Sequence, residues 1–183
     1  MGGKTQPGGN GDEFALSLET AALAVLLGKG LPDAADRALR RAGLAYQDDR
    51  AAERHLAEAR RLAPDHPAVL IGLYRYYFYK CRLDEALIIA RICLLQAARQ
   101  NALHPDWRRV EAEDAAFGSY DAVLPRFYMF TLKAYAYLQL RLGDIDEGRD
   151  AAQKALSLDP TDRVGVGVLL DVLERQAPGE CDD

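Results

Sequence analysis

Three segments of this chain carry two small residues seven positions apart, so each pair would lie on one face of an α-helix. The pairs are Ala52 and Ala59, Ala86 and Cys93, and Gly148 and Ala155. They recur in units of roughly 34 residues, interrupted once by an insertion. Because small side chains let a neighbouring helix approach closely, the spacing predicts antiparallel helix pairs that stack and bury a continuous core.

The rest of the pattern predicts an all-α chain. Helical periodicity appears nearly everywhere, whereas β-branched residues are few and alternating runs bounded by Asn-Gly or Asp-Gly are absent. The expected helices cover 12–28, 33–46, 48–62, 67–80, 84–100, 125–143, 145–158 and 162–176, with a short one after Asp106. We expect a disordered lead over 1–11, one domain over 12–177 and a disordered tail over 178–183. The domain would hold repeats at about 33–66, 67–100 and 129–162, and an insert at 101–128.

The leading helix of each unit adds a second pattern. Its matching positions hold Asp36, Leu39, Arg40 and Gly43 in the first unit, Leu70, Leu73, Tyr74 and Tyr77 in the second, and Leu132, Tyr135, Ala136 and Gln139 in the third. Together with the small residues and the closing Pro64 and Pro160, this resembles the tetratricopeptide repeat. No unit has the leading Trp of that pattern, and the first unit is polar at Asp36 and Arg40. The resemblance implies a short right-handed solenoid of helix pairs with N- and C-terminal capping helices.

Two longer stretches, "FYMFTLKAYAYLQLRLGDIDEG" and "LDPTDRVGVGVLLDVL", are also similar to small repeat proteins of bacterial nitrogen-fixation gene clusters. This second resemblance implies an accessory factor for a bacterial metalloenzyme system.

Charge and composition exclude several classes of function. A net charge of −5 disfavours nucleic acid, since a surface that follows phosphates needs a basic excess. The apolar run in "FALSLETAALAVLLG" is too short to span a bilayer and contains Glu19. The start of the chain has no apolar signal-peptide core, and three cysteines form no disulfide pattern. We therefore expect a cytoplasmic protein without a membrane partner.

In tetratricopeptide arrays the leading helices line a concave groove that holds a partner segment. The resemblance assigns to this groove Arg37, Arg41, Arg75, Phe78, Tyr79, Lys133, Tyr137 and Arg141. A basic, aromatic lining favours a protein or peptide partner with carboxylates and an apolar anchor, because Arg and Tyr dominate binding hot spots. The alternative is that the arginines are solvated or paired with acidic neighbours and the tyrosines belong to the core.

The insert carries the chain's one tryptophan, Trp107, together with Phe117 and several acidic residues. A long insertion in a compact array is usually functional or folded back. One interpretation is a lid over the basic groove, with Trp107 and Phe117 as its contacts. The other is a packed connector.

Nothing in the sequence indicates catalysis. The three histidines stand apart, no HExxH, CxxC or phosphate-binding glycine motif occurs, and we expect neither cofactor nor metal. We therefore predict a non-enzymatic interaction module, an adaptor or chaperone-like factor. The alternative is a structural protein whose helical surface forms a homodimer.

Overall fold

The computed structural model describes residues 30–176, which form seven α-helices and two short 3₁₀ helices without any strand. The α-helices are α1 (Asp33–Leu44), α2 (Asp49–Leu62), α3 (Pro67–Tyr79), α4 (Leu83–Gln100), α5 (Val123–Leu142), α6 (Ile145–Leu158) and α7 (Gly167–Gln176). The 3₁₀ helices, Trp107–Arg109 and Ala112–Asp114, lie in the insert. The predicted lead over 1–11, the capping helix over 12–28 and the tail over 178–183 lie outside the described residues.

Local capping explains where several helices begin and end. The carboxylate of Asp48 accepts a hydrogen bond from the N–H of Ala51 at 3.0 Å and starts α2. Asp144 caps α6 in the same way through the N–H of Glu147. Gly143 ends α5 with a φ of 93°, a left-handed conformation that glycine adopts without strain. The turn between α5 and α6 is therefore encoded by two adjacent residues.

Each helix packs against the next one along the chain, from α1 on α2 to α6 on α7, and α1 also touches α3. This consecutive packing is the arrangement of a helical repeat solenoid, and the prediction of an all-α fold is confirmed. No helix within residues 30–176 is long and apolar enough to cross a membrane.

The small residues of the repeat lie in the core. Ala52, Ala59, Ala86 and Ala155 are completely buried. At Gly148 the two helices of the third pair approach so closely that an added Cβ would lie 2.5 Å from Cδ2 of Leu140. The small side chains therefore permit the helix contacts that the sequence pattern predicts.

The buried positions of α1, the first leading helix, are shifted by one residue from those that the repeat alignment predicts. Ala35, Ala38 and Ala42 are its buried residues, whereas Asp36 and Arg40 form a surface ion pair at 2.9 Å. The buried face of α1 consists of alanines, and the repeat pattern did not predict that these small side chains belong to the core. The predicted equivalence of Asp36 and Arg40 with core positions of the other units is wrong for this reason.

The last helix begins later than predicted, at Gly167. The carboxylate of Asp162 accepts hydrogen bonds from the N–H groups of Val166 and Gly167 at 2.7 and 2.9 Å, and Gly165 has a φ of 65°. Val164 and Val166 are buried in the loop before the helix. An ordered loop anchored on Asp162 thus replaces the first turn expected there.

Candidate functional site, a groove between α1 and α3

The leading helices α1 and α3 enclose a pocket of about 330 Å³, which we call the α1–α3 groove. Its lining comes from α1, α2, α3 and the turn after α1, and consists of Leu39, Ala42, Gly43, Tyr46, Leu56, Gly72, Arg75, Tyr76 and Tyr79. Most of these side chains are aliphatic or aromatic, and one is a cation. Within residues 30–176, the lining of the groove therefore combines apolar side chains with a single positive charge.

The floor owes its shape to small residues on both leading helices. A Cβ at Gly72 would lie 3.0 Å from Cδ2 of Leu39, so α1 and α3 are nearly in contact at this point. Nothing lies within 4 Å of the corresponding position at Gly43, where space is open. Leu56 of α2 is buried beneath the helices. The groove is thus open toward the C-terminal end of α1 and closed at the base.

Tyrosines form one wall of the groove. The rings of Tyr46 and Tyr76 meet edge to face, with centroids 6.1 Å apart. The ammonium of Lys80 lies 4.2 Å from the centre of the Tyr46 ring and 2.7 Å from the carboxylate of Asp49. Burial, reinforced by the hydrogen bond from its hydroxyl to Asp49, raises the pKa of Tyr76 to about 12. The positive charge of Lys80 is therefore already matched.

Arg75 differs from Lys80 in this respect. It is half-buried, its guanidinium carbon lies 6.0 Å from the centre of the Tyr79 ring, and it forms no ion pair with any residue from 30 to 176. Tyr79 is itself 39% exposed at the edge of the groove. Arg75 thus lies beside an aromatic ring and has no carboxylate partner within residues 30–176. Such a cation is suited to bind an anionic group.

A row of aromatic and cationic side chains continues from the groove to α5. Phe78 contacts Tyr79 and Tyr137, with ring centroids 5.6 and 5.7 Å apart. Arg141 donates a hydrogen bond to the hydroxyl of Tyr137 and lies over its ring. Of the predicted groove residues, Arg75, Phe78, Tyr79, Tyr137 and Arg141 are therefore brought together. Phe78 is only 6% exposed, so it supports the row from beneath.

Three predicted groove residues lie elsewhere. Arg37 and Arg41 are exposed, but they stand about 160–200° around α1 from Leu39, on the side turned away from α3. Lys133 donates a hydrogen bond to the carbonyl of Val164 at 2.6 Å and thereby holds the loop before α7. Arg37, Arg41 and Lys133 are therefore not among the residues that line the α1–α3 groove.

The insert packs against α5 and α6. Trp107 contacts Tyr135 and Phe117 contacts Tyr128, with ring centroids 6.3 and 5.7 Å apart. Tyr135 and Tyr128 lie about 160–180° around α5 from Tyr137. The two rings expected to contact the groove as a lid are therefore on the far side of α5, in the position of a packed connector.

A polar network that no sequence pattern predicted holds the insert in place. Arg108 of the insert and the hydroxyl of Tyr135 both donate to the carboxylate of Glu147, and Gln139 donates to the same hydroxyl at 2.8 Å. Burial and the contact with Glu147 raise the pKa of Tyr135. The one available signal was Gln139, a polar residue on the buried side of an apolar helix.

No group of three His, Cys, Asp or Glu side chains in the described part of the chain is arranged to hold a metal ion. Cys93 is buried in α4, and burial raises the pKa of its thiol to about 12. Such a thiol is a poor nucleophile at neutral pH.

No protein-family model matches this chain. No solved structure matches it either. The chain is similar to the "Uncharacterized 19.8 kDa protein in nifW 5'region" of Azotobacter chroococcum mcd 1. The two are 41% identical over 123 residues, which cover 67% of this chain and 69% of that protein. At this identity and coverage, the chain belongs to the family of that nifW 5'-region protein.

Proposed function

We propose that this protein is a non-enzymatic accessory factor of a bacterial nitrogen-fixation system. In this role it acts as an adaptor or chaperone-like module that binds a segment of a partner protein in the α1–α3 groove. The relative from the nifW 5' region supports the biological setting. The solenoid of helix pairs, which resembles a tetratricopeptide array, supports the mode of binding.

The observation that carries the proposal is the environment of Arg75. It stands half-buried beside Tyr79 in a largely apolar groove, without an ion pair among the described residues. An arginine partly removed from water gains most from a carboxylate that arrives with its own apolar surroundings. The groove therefore favours a segment with an acidic residue next to an aliphatic or aromatic one.

The size of the groove limits what it can hold. A volume of about 330 Å³ accommodates a few side chains, not a whole helix. A partner would insert its apolar anchor there and lie along the row of Tyr79, Phe78, Tyr137 and Arg141. Such a short surface implies an affinity of roughly micromolar strength.

The test is affinity capture in which the full chain is the bait. The partner is captured from extracts of bacteria grown under nitrogen-fixing conditions. One variant combines Arg75→Glu with Arg141→Glu, and its control combines Arg40→Glu with Arg149→Glu. The control changes the net charge equally, but at exposed arginines that pair with Asp36 and Asp146 on their own helices. We expect capture to fall in the first variant and to persist in the control. Equal capture by both would refute the proposal, provided that thermal unfolding shows both to be folded.

A second candidate, homodimerisation, has one observation in its favour. Val168 and Val172 lie one turn apart on α7 and are 39% and 41% exposed at the end of the stack. Apolar side chains in such a position are commonly covered by another surface. Light scattering decides this: a mass of about 20.2 kDa at micromolar concentration removes the dimer, whereas a dimer that Val172→Glu dissociates supports it.

A further inference from the structure

We propose that a second docking surface, for an acidic segment of a partner protein, lies where the insert meets the start of α5. It consists of Tyr120 of the insert, Arg126 of α5 and Arg163 of the loop before α7, which we call the Tyr120 cluster. Arg126 and Tyr137 lie about 17 Å apart along the axis of α5, so the cluster is distant from the row beside the α1–α3 groove. It is a separate site, and it stands whether or not the groove binds a partner.

Two arginines contact one exposed ring in the Tyr120 cluster. Tyr120 is 61% exposed, and the guanidinium carbons of Arg126 and Arg163 lie 5.5 and 4.4 Å from the centre of its ring. The guanidinium carbon of Arg126 also lies 5.7 Å from the centre of the Phe130 ring, which is buried. The aromatic contacts confine both cations to one area of the surface, and this reduces the conformational cost of binding an anion there.

Both guanidiniums have only neutral hydrogen-bond partners within residues 30–176. Arg126 donates to the carbonyl of Tyr120 at 3.3 Å, and Arg163 donates to the hydroxyl of Thr161 at 3.2 Å. Neither forms an ion pair with a carboxylate of this part of the chain. Because a guanidinium carries several N–H donors, most of them are left for a ligand.

The acidic side chains closest to Arg163 in the chain are engaged elsewhere. Asp159 is buried and accepts hydrogen bonds from the N–H groups of Thr161 and Arg163 at 3.1 and 3.0 Å. Asp162 accepts hydrogen bonds from two backbone N–H groups near the start of α7. These bonds order the loop that presents Arg163, and none of them is made to its guanidinium.

The start of α5 adds positive potential at the same place. Its N-cap is Ala122, which no side chain in the described part of the chain caps, and its first turn contains no acidic residue. The starts of α2 and α6, in contrast, each have an aspartate as the N-cap. Asp121 is exposed beside Ala122 but forms an ion pair with neither Arg126 nor Arg163. An anion at the Tyr120 cluster would therefore meet two guanidiniums and the positive end of a helix dipole.

These features fit the carboxylates of a protein segment better than the phosphates of a nucleic acid. A guanidinium binds a carboxylate through paired N–H donors, and the exposed ring of Tyr120 gives an apolar side chain of the same segment a surface to pack on. A site that follows phosphates needs a row of cations, whereas this cluster offers two arginines on a chain of net charge −5. The occupant is therefore a segment with at least two Asp or Glu residues beside an apolar one.

The NMR signals of the arginine Nε–Hε groups in the ¹⁵N-labelled full chain test this site. The probe is the peptide EELEE, and its uncharged match is QQLQQ. We expect EELEE to shift the signals of Arg126 and Arg163, whereas those of Arg40 and Arg149, which pair with acids on their own helices, change little. QQLQQ should shift none of them. Arg75→Gln should leave the response unchanged, which separates this site from the α1–α3 groove.

Fluorescence anisotropy of labelled EELEE measures the strength of the contact, in the Arg75→Gln chain so that the groove contributes little. Arg126→Gln combined with Arg163→Gln should weaken binding by at least about tenfold, as for the loss of charge-assisted hydrogen bonds. The control, Arg40→Gln combined with Arg149→Gln, removes the same charge at exposed ion pairs and should change binding by less than about twofold.

Shifts at Arg40 and Arg149 as large as those at Arg126 and Arg163, or equal binding by the two double variants, would overturn the site. If Arg126→Gln unfolds the chain, Tyr120→Ala and Arg163→Gln change exposed side chains and serve instead; unchanged binding by both would overturn it equally. Tighter binding of a ten-nucleotide RNA than of EELEE would overturn the acidic segment as occupant. Signals of the cluster that move with protein concentration alone would assign the surface to a second copy of the chain.

Discussion

Replacing Gly148 with alanine tests whether close approach of paired helices holds this solenoid together. Gly148 lies near the start of α6, facing α5. An added methyl group would lie 2.5 and 2.6 Å from Cδ2 and Cγ of Leu140 and 3.0 Å from the carbonyl oxygen of Ala136. The last of these atoms belongs to the backbone and cannot move without shifting the helix.

Two opposing terms set the magnitude. Alanine is a better helix former than glycine by about 0.5–1 kcal/mol. Forcing an extra methyl group into a packed contact costs about 1–3 kcal/mol. Because Cγ of Leu140 and the Ala136 backbone both obstruct the methyl group, we expect the clash to win. The free energy of unfolding should fall by about 1–2 kcal/mol, and Tm by about 2–4 °C per kcal/mol for a chain of this size.

Urea denaturation followed by circular dichroism measures the change, with Gly43→Ala as the matched control. Gly43 is also helical, but nothing lies within 4 Å of an added Cβ there. The control should therefore gain stability, by about 0.5 kcal/mol, from helix propensity alone. A Gly148→Ala protein as stable as the parent, or a control that loses as much as Gly148→Ala, would refute the reasoning.

Three further outcomes follow from the same structure. Trp107→Ala should lower the free energy of unfolding, measured by urea titration, by about 3 kcal/mol, because it removes a buried indole that packs on Tyr135. A loss below about 1 kcal/mol would mean that the insert is not anchored there. Burial would raise the pKa of Asp159, but donors on Thr161 and Arg163 outweigh it and hold the pKa below its usual value. Asp159→Asn should thus destabilise the protein at pH 7, and the difference should shrink as pH falls below about 4 toward the lowered pKa; a difference that grows on acidification would contradict this. A thiol reagent at pH 8 should label exposed Cys81 and spare Cys93, whose pKa is about 12, with peptide mapping as the readout; rapid native labelling of Cys93 would show that α4 is not packed as described.

Several helix ends were predictable because neighbouring residues define them. Asp48 and Asp144 cap helices through contacts three residues away, and Gly143 ends α5 by its own backbone preference. The small residues of the repeat were predictable as well, since two of them seven positions apart must share a helix face.

The groove was only partly predictable, because register depends on contacts between helices. Arg37 and Arg41 lie on the side of α1 opposite Leu39, and nothing in their immediate sequence indicates which side of α1 faces α3. Lys133 donates a hydrogen bond to the carbonyl of Val164, a residue 31 positions away. Arg75 and Tyr79 of α3 are among the residues that line the α1–α3 groove.

The path of the insert could not be predicted, for a similar reason. Trp107 and Phe117 are apolar rings in a loop, and sequence alone does not say which side of α5 they cover. The contacts with Tyr128, Tyr135 and Glu147 fix the path of the insert, and the orientation of these side chains depends on the packing of α5 against α6. Long-range contacts of this kind leave almost no local pattern.

The central claim, that Arg75 and the row of side chains beside it bind an acidic segment of a partner, is tested most directly by paired capture. The full chain with Arg75→Glu and Arg141→Glu is compared with the full chain carrying Arg40→Glu and Arg149→Glu, in extracts of nitrogen-fixing cells. We predict that the first variant retains less than about a tenth of the partner bound by the parent, as for loss of a hot spot, while the second retains nearly all of it. Equal retention by two folded variants would contradict the account.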